Sequence, residues 1–358
     1  LDEIFQRQSN GKRTDTHMLC YGNPRTLQEY LNRIDEELAG KRESRLIIGN
    51  SVTVSPWDID VTCACEHCRK LFEPEKGATG SASRILCAFV QNLSRELAKK
   101  HPEMKIIFLP YMNYTDLPEG IRFGDNVEVQ LASKVGLAYY KEPTVREAEE
   151  RTIRKWSEAL NGRPIQHWHY SCWPAENTSA PLFYPDVIID FYKRNGKYTQ
   201  GSFVNGTRNH WPQTGVSLYV WQKALWNPDL NVDRILDTMC ERLYGSAAAP
   251  MREIYELQRT GWEKNLWGHG IMTGRLIFEK SFPRKDVVRM EALFAEAEKK
   301  AGSDPAVLQR IAAYKEAFLP FFEESKAFAE GTRLTPLSIM KTGENPKIDG
   351  ILDDPQWK

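Results

Sequence analysis

Residues 165–171 read IQHWHYS, residues 185–195 read PDVIIDFYKRN and residues 199–205 read TQGSFVN. The first and third stretches are short and rich in strand-forming residues, which is how strands read. The middle stretch is longer, carries apolar residues at helical spacing and is followed by Gly196, a helix stop. Two strands joined by a helix predict a parallel pair, because a parallel connection must cross back over the sheet.

The same alternation continues in both directions. Upstream, 17–22 (HMLCYG) predicts a short strand, and 25–39 a helix with Leu27, Tyr30, Leu31, Ile34 and Leu38 on one face. Strands follow at 51–57 (SVTVSPW), 105–112 (KIIFLPYM) and 126–132 (NVEVQLA), with helices near 81–100 and 144–161. Downstream, 215–226 is helical. Six strands alternating with helices predict an α/β fold, a (β/α)8 TIM-like barrel that is N-terminally incomplete, since closure takes eight strands. The chain opens Leu1-Asp2-Glu3 without an initiator Met, which fits two strand–helix units lying upstream. The structural alternative is an open doubly wound sheet, but no Gly-rich phosphate loop follows a strand.

From Asn231 the pattern is helical only, at 231–244, 247–266, 284–301 and 305–329. The last begins at Asp304-Pro305, an N-cap followed by Pro at the first helical position. The expected organisation is a catalytic barrel over 1–230, a helical bundle packed on it over 231–340, and the start of a truncated β-rich module over 341–358.

The chain has 358 residues, 41% of them hydrophobic, enough for a large core. Lys+Arg and Asp+Glu both number 48. A dedicated nucleic-acid binder carries a basic excess, so no nucleic-acid partner is expected. No run of about 18 apolar residues suggests a membrane span. Tryptophan is abundant, at 10, beside 14 Tyr and 15 Phe. Such rings stack on apolar faces as well as fill cores.

In a strand–helix barrel the chemistry sits at the C-terminal strand ends. Those ends carry Trp57, Asp58 and Asp60, then Tyr111 and Asn113, then His167, His169, Tyr170 and Trp173, and last Asn205, His210 and Trp211. Carboxylates, amides, imidazoles and indoles on one rim suit a carbohydrate partner. In an extended segment Asp58 and Asp60 point the same way, with Cα atoms about 6.6 Å apart. Paired carboxylates can divide the work of glycoside hydrolysis. The plainer alternative is that one of them caps a turn. Asp116 and Glu176 are alternative second carboxylates. His167 and His169 share a strand face and are candidates for sugar contact.

Cys63, Cys65 and Cys68 form Cys-x-Cys-x-x-Cys. They could ligate a structural zinc with His67, Cys87 or Cys20. They could instead form a disulfide, most easily Cys63–Cys68, or stay as free buried thiols. Catalysis is not expected of them. The sugar chemistry requires no cofactor.

Three pieces carry a family resemblance. Gly11-Lys12-Arg13 precedes Asn23-Pro24, and Ser55-Pro56-Trp57-Asp58 precedes the Cys motif. Leu218-Tyr219-Val220-Trp221-Gln222-Lys223-Ala224-Leu225-Trp226-Asn227-Pro228-Asp229 precedes Tyr244-Gly245. Over about residues 10–260 the chain resembles a bacterial domain-of-unknown-function family that includes glycoside hydrolase family 163, which are endo-β-N-acetylglucosaminidases. The tail Lys347-Ile348-Asp349-Gly350, with Leu352-Asp353-Asp354 and Trp357, is similar to the opening of family 9 carbohydrate-binding modules. The resemblance implies a barrel, a secreted, periplasmic or cell-surface setting, a glycan substrate, and Asp58 at the family's strand-end Asp. In such enzymes the substrate's own acetamide attacks the anomeric carbon.

Three readings follow. The first is a retaining glycosidase acting on N-acetylhexosamine linkages. The second is a non-catalytic glycan-binding protein on the same rim. The third is a thiol–zinc protein in which the Cys cluster is the function.

Overall fold

The computed structural model describes residues 2–16, 18–133, 142–170, 179–181, 183–205, 211–264 and 274–331. The tail expected to begin a β-rich module lies outside them. Six strands form one sheet in the order β1 (Ile47–Ile48), β2 (Ser51–Val54), β3 (Lys105–Phe108), β4 (Val127–Ala132), β5 (Ile165–Tyr170) and β6 (Thr199–Asn205). β1 is antiparallel to β2, and β2 through β6 are parallel. Spatial order follows chain order throughout. A doubly wound sheet reverses its order at a switch point, so that alternative is set aside.

Five of the six predicted strands are present. The exception is 17–22. Gln6 N–H donates to the Met18 carbonyl at 2.8 Å and Cys20 N–H to the Ile4 carbonyl at 2.7 Å. This stretch therefore pairs with the residues just before it and forms an arm outside the sheet. The first parallel strand is also shorter than predicted, ending at Val54, two residues before Pro56. Proline has no N–H to give a ladder.

α1 (Pro24–Leu38) precedes the sheet, and α2 (Ser83–Lys100), α3 (Pro143–Ala159) and α4 (Pro185–Asn195) lie between its parallel strands. Strand positions alternate in burial as a sheet requires. Val52, Val54, Ile106, Phe108, Val129 and Leu131 are buried. Phe108 meets Trp156 of α3 edge-on, with ring centroids 5.8 Å apart, so this face lies under the helices. The opposite face carries Thr53, Ile107, Glu128, Gln130, Gln166, Trp168 and Phe203, none of them buried. At the end of α1, the Glu37 carboxylate accepts from the N–H groups of Arg45, Leu46 and Ile47 and fixes the entry to β1.

The described residues after β6 are mainly helical: α5 (Trp211–Trp226), α6 (Val232–Tyr244), α7 (Ala248–Glu263), α8 (Arg284–Ala301) and α9 (Pro305–Ala329). The Asp304 carboxylate caps α9, accepting from Ala306 and Val307 N–H at 3.0 and 3.1 Å. α8 packs between α7 and α9, and α9 returns to pack on α5 beside the sheet. Phe294, Phe318 and Phe321 fill this core. Arg259 of α7 holds both carboxylate oxygens of Asp186 on α4 at 2.7 Å and Asp233 of α6 at 2.6 Å.

Candidate functional site

The C-terminal ends of β2 and β3 lie side by side because the strands pair, Val54 opposite Phe108. After β2 the chain carries Trp57, 64% exposed, then Asp58 and Asp60, both exposed. This segment is not extended. Ile59 N–H donates to the Trp57 carbonyl at 2.7 Å, an i to i+2 turn that bends the chain at Asp58. The regular spacing expected for the two carboxylates is therefore absent. Both nevertheless act electrostatically on the phenol of Tyr114, which follows β3.

Tyr114 is fully buried, and its hydroxyl has no hydrogen-bond partner among the described residues. Burial first, then the nearby Tyr111, Asp58 and Asp60, push its pKa above the usual tyrosine range. Two residues before it, Met112 holds a φ of 47°. Left-handed backbone at a side chain of this size is strained, and such strain clusters at functional sites. Neither Met112 nor Tyr114 was legible as a site residue, because strain and an unanswered hydroxyl leave no mark in a sequence.

Asn113 is buried and serves the backbone. Its Oδ1 accepts from Val61 N–H at 3.0 Å, and its Nδ2 donates to the Val61 carbonyl at 3.0 Å and to Ser81 Oγ at 3.2 Å. It is a clamp on the loop after Asp60 and does not face a sugar. Asp116, the alternative carboxylate, is half-buried and accepts from Thr79 Oγ1 at 2.5 Å. Tyr111 is half-buried at the end of β3.

His167 and His169 share a face, as predicted, but that face is the one under the helices. Their rings stack 5.4 Å apart, and Phe191 of α4 meets both edge-on at 5.3 and 4.7 Å. His167 Nε2 bonds to Thr199 Oγ1 at 3.0 Å and His169 Nδ1 to Ser133 Oγ at 3.2 Å. Burial pushes His167 down to about 3 and His169 well below its ordinary value. The expectation that they contact sugar is corrected: they are neutral core residues. Tyr170 and Asn205 are half-buried register partners at the ends of β5 and β6. Trp173, Glu176 and His210 lie outside the described residues, as does the side chain of Trp211.

The second cluster is sulfur. Cys20 of the N-terminal arm joins Cys63, Cys65 and Cys68 of the loop after β2, with all four Sγ atoms within 4.8 Å of one another. Cys20 Sγ lies 3.5 Å from each of the other three. A disulfide holds its sulfurs about 2.0 Å apart, so the cysteines here are unpaired thiols. Arg7 N–H donates to Cys63 Sγ at 3.3 Å and Cys68 N–H to Cys65 Sγ at 3.4 Å. Bonds from Cys20 first, then Cys68, lower the pKa of Cys63, while the pKa values of Cys20 and Cys68 are pushed up in turn. Of the three completions the spacing offered, Cys20 is the one the fold supplies.

The geometry defines an α/β domain with an open carboxylate–aromatic rim and a buried sulfur cluster behind it. The chain belongs to the family described as Domain of unknown function (DUF4838), whose model matches residues 2–256 and ends within α7. No curated protein and no solved structure matches the chain.

Proposed function

We propose that the protein is a glycoside hydrolase acting on glycans that contain N-acetylhexosamine. The observation that carries this reading is the exposed Trp57 indole beside the exposed Asp58 and Asp60, just past the C-terminal end of β2. An exposed indole gives a sugar ring a face to stack on. Two carboxylates give acid–base groups, and the half-buried phenol of Tyr111 gives a donor for a sugar oxygen. The placement at C-terminal ends of parallel strands fits a barrel enzyme, and the strand order fits a barrel built further than the six strands. The likeness to glycoside hydrolase family 163 supports the endo-acting, N-glycan-directed form of this reading, in a secreted, periplasmic or cell-surface setting.

In substrate-assisted hydrolysis the 2-acetamido oxygen forms a bond to the anomeric carbon. The bond from that carbon to the leaving oxygen breaks, and the leaving oxygen takes a proton from a carboxylic acid. Water then opens the cyclic intermediate and yields the retained product. This route departs from the usual covalent carboxylate intermediate. Asp58 and Asp60 are the pair that would orient the acetamide and supply the proton. Tyr111 and Trp57 would hold the ring.

A second reading is glycan binding without cleavage. It is favoured by the position of both carboxylates on a solvent-facing bend, whereas catalytic acids sit in enclosed pockets. Incubation with N-glycans and N-acetylglucosaminides, with products read by mass spectrometry, separates the two. Hydrolysis that falls about 100-fold or more in Asp58→Asn, as loss of a general acid or base gives, supports the enzyme. Retained binding without any product supports the second reading. Undiminished cleavage by both Asp58→Asn and Asp60→Asn removes the rim from the mechanism.

A further inference from the structure

We propose that Cys20, Cys63, Cys65 and Cys68 hold one zinc ion as four thiolates. The sulfurs sit 3.5 Å apart at closest and 4.8 Å at most. A zinc–sulfur bond of about 2.3 Å in a tetrahedron puts sulfurs about 3.8 Å apart. The cluster therefore already has the size of a tetrahedral site, and it is far too open for a disulfide.

The surroundings fit thiolates. Two backbone N–H groups, from Arg7 and Cys68, donate to Cys63 and Cys65. Donors of this kind offset the charge of metal-bound sulfur. Cys65 also caps the short helical turn Glu66–Arg69, which brings Cys68 back toward it. The backbone leaves room for the sulfurs on the other side: a Cβ at Gly22 would lie 2.7 Å from Cys68 Sγ. Three of the four cysteines are buried, and Cys65 is half-buried.

The donor set narrows the ion to the thiophilic metals, of which redox-inert zinc is the one proposed. Four soft sulfurs exclude calcium and magnesium, which take oxygen ligands. Four protein ligands fill a tetrahedral zinc and leave no open position for water or substrate, so the site is structural. Zinc enters as the aqueous dication, and the thiols lose their protons to solvent as they bind it. The ion then ties the N-terminal arm, through Cys20, to the loop that leaves the rim after Asp60. This inference holds whatever the rim binds.

Metal content decides it. The full chain, purified from zinc-supplemented culture without chelator, is expected to carry one zinc per chain through gel filtration. Alkylation of the folded zinc-loaded chain is expected to spare Cys20, Cys63, Cys65 and Cys68, and alkylation after chelation to modify all four, read by peptide mass spectrometry. Cobalt exchanged into the site is expected to show thiolate-to-cobalt charge transfer and the strong visible bands of a tetrahedral ion. Cys65→Ser is expected to lose the metal, whereas Cys87→Ala, a buried helix cysteine outside the cluster, is expected to keep it. Since Cys65→Ser could simply misfold, the zinc and cobalt results on the unmodified chain stand by themselves. Metal-free wild-type protein, or a Cys63–Cys68 disulfide found by peptide mass spectrometry, overturns the proposal.

Discussion

Tyr114 and His169 both bury a polar atom that no described residue answers, the hydroxyl of one and Nε2 of the other. Leaving such an atom buried costs about 1–3 kcal/mol. Tyr114→Phe removes that cost, so its urea midpoint is expected to hold or rise by the equivalent of about 1 kcal/mol. A loss of stability instead would mean the hydroxyl is answered within the protein. The histidines give a pH signature. Burial holds His167 and His169 below their ordinary 6.5 in the folded state. The unfolded chain therefore binds the protons first. Their contribution is complete above the unfolded value and is lost as pH falls from 6.5 toward the folded value, about 3 for His167. Each site gives a slope of about 1.4 kcal/mol per pH unit within that window. Urea titrations at pH 7.5 and 5.5 are expected to differ by about 2–3 kcal/mol, and His167→Gln is expected to remove about half of that difference. Equal midpoints at both pH values would mean that the pair is not held neutral. The sequence showed the two histidines on one strand face. It could not show that this face lies beneath α4, because period two says which residues go together and not which side is the core.

Elements with terminal chemistry were the most legible. α4 and α9 begin at Pro185 and Pro305, and both were read to the residue. Strand 17–22 was misread because a run of six residues does not say what it pairs with, and its partner is the local arm at Ile4–Gln6. The spacing of Asp58 and Asp60 was misread because a three-residue turn over residues 57–59, centred on Asp58, breaks the extended geometry assumed for them. Close contact between elements is equally silent in sequence. Gly261 of α7 lies against Phe282, where a Cβ would come within 2.2 Å of the ring. Alanine gains about 1 kcal/mol of helix propensity over glycine, but forced overpacking costs about 1–3 kcal/mol. Phe282 is wholly buried, so its ring cannot swing out to solvent without leaving the core. The clash wins, so Gly261→Ala is expected to lower the thermal midpoint. A rise would show that the ring can turn away.

At the scale of the molecule, the sheet region and the helical region share one core. Buried residues form a continuous cluster from Met18 to Phe322. Polar ties cross the same seam. Arg259 of α7 reaches Asp186 of α4, and Trp262 of α7 donates through Nε1 to the Pro181 carbonyl. Gln213 of α5 donates to the Ala317 carbonyl of α9 at 2.7 Å. The change from alternating to all-helical pattern near Asn231 was legible, since periodicity is local. The seam was not, since it joins residues about a hundred positions apart. A change of pattern need not be a boundary of stability. A fragment of residues 1–230 would leave Asp186 without Arg259 and uncover the α5 surface that α9 packs on. Exposed apolar area of that kind promotes association. The fragment is therefore expected to aggregate or to melt without a cooperative transition, whereas the full chain melts in one step. A soluble 1–230 fragment with a sharp thermal transition would instead show that the helices are an addition to a core already complete.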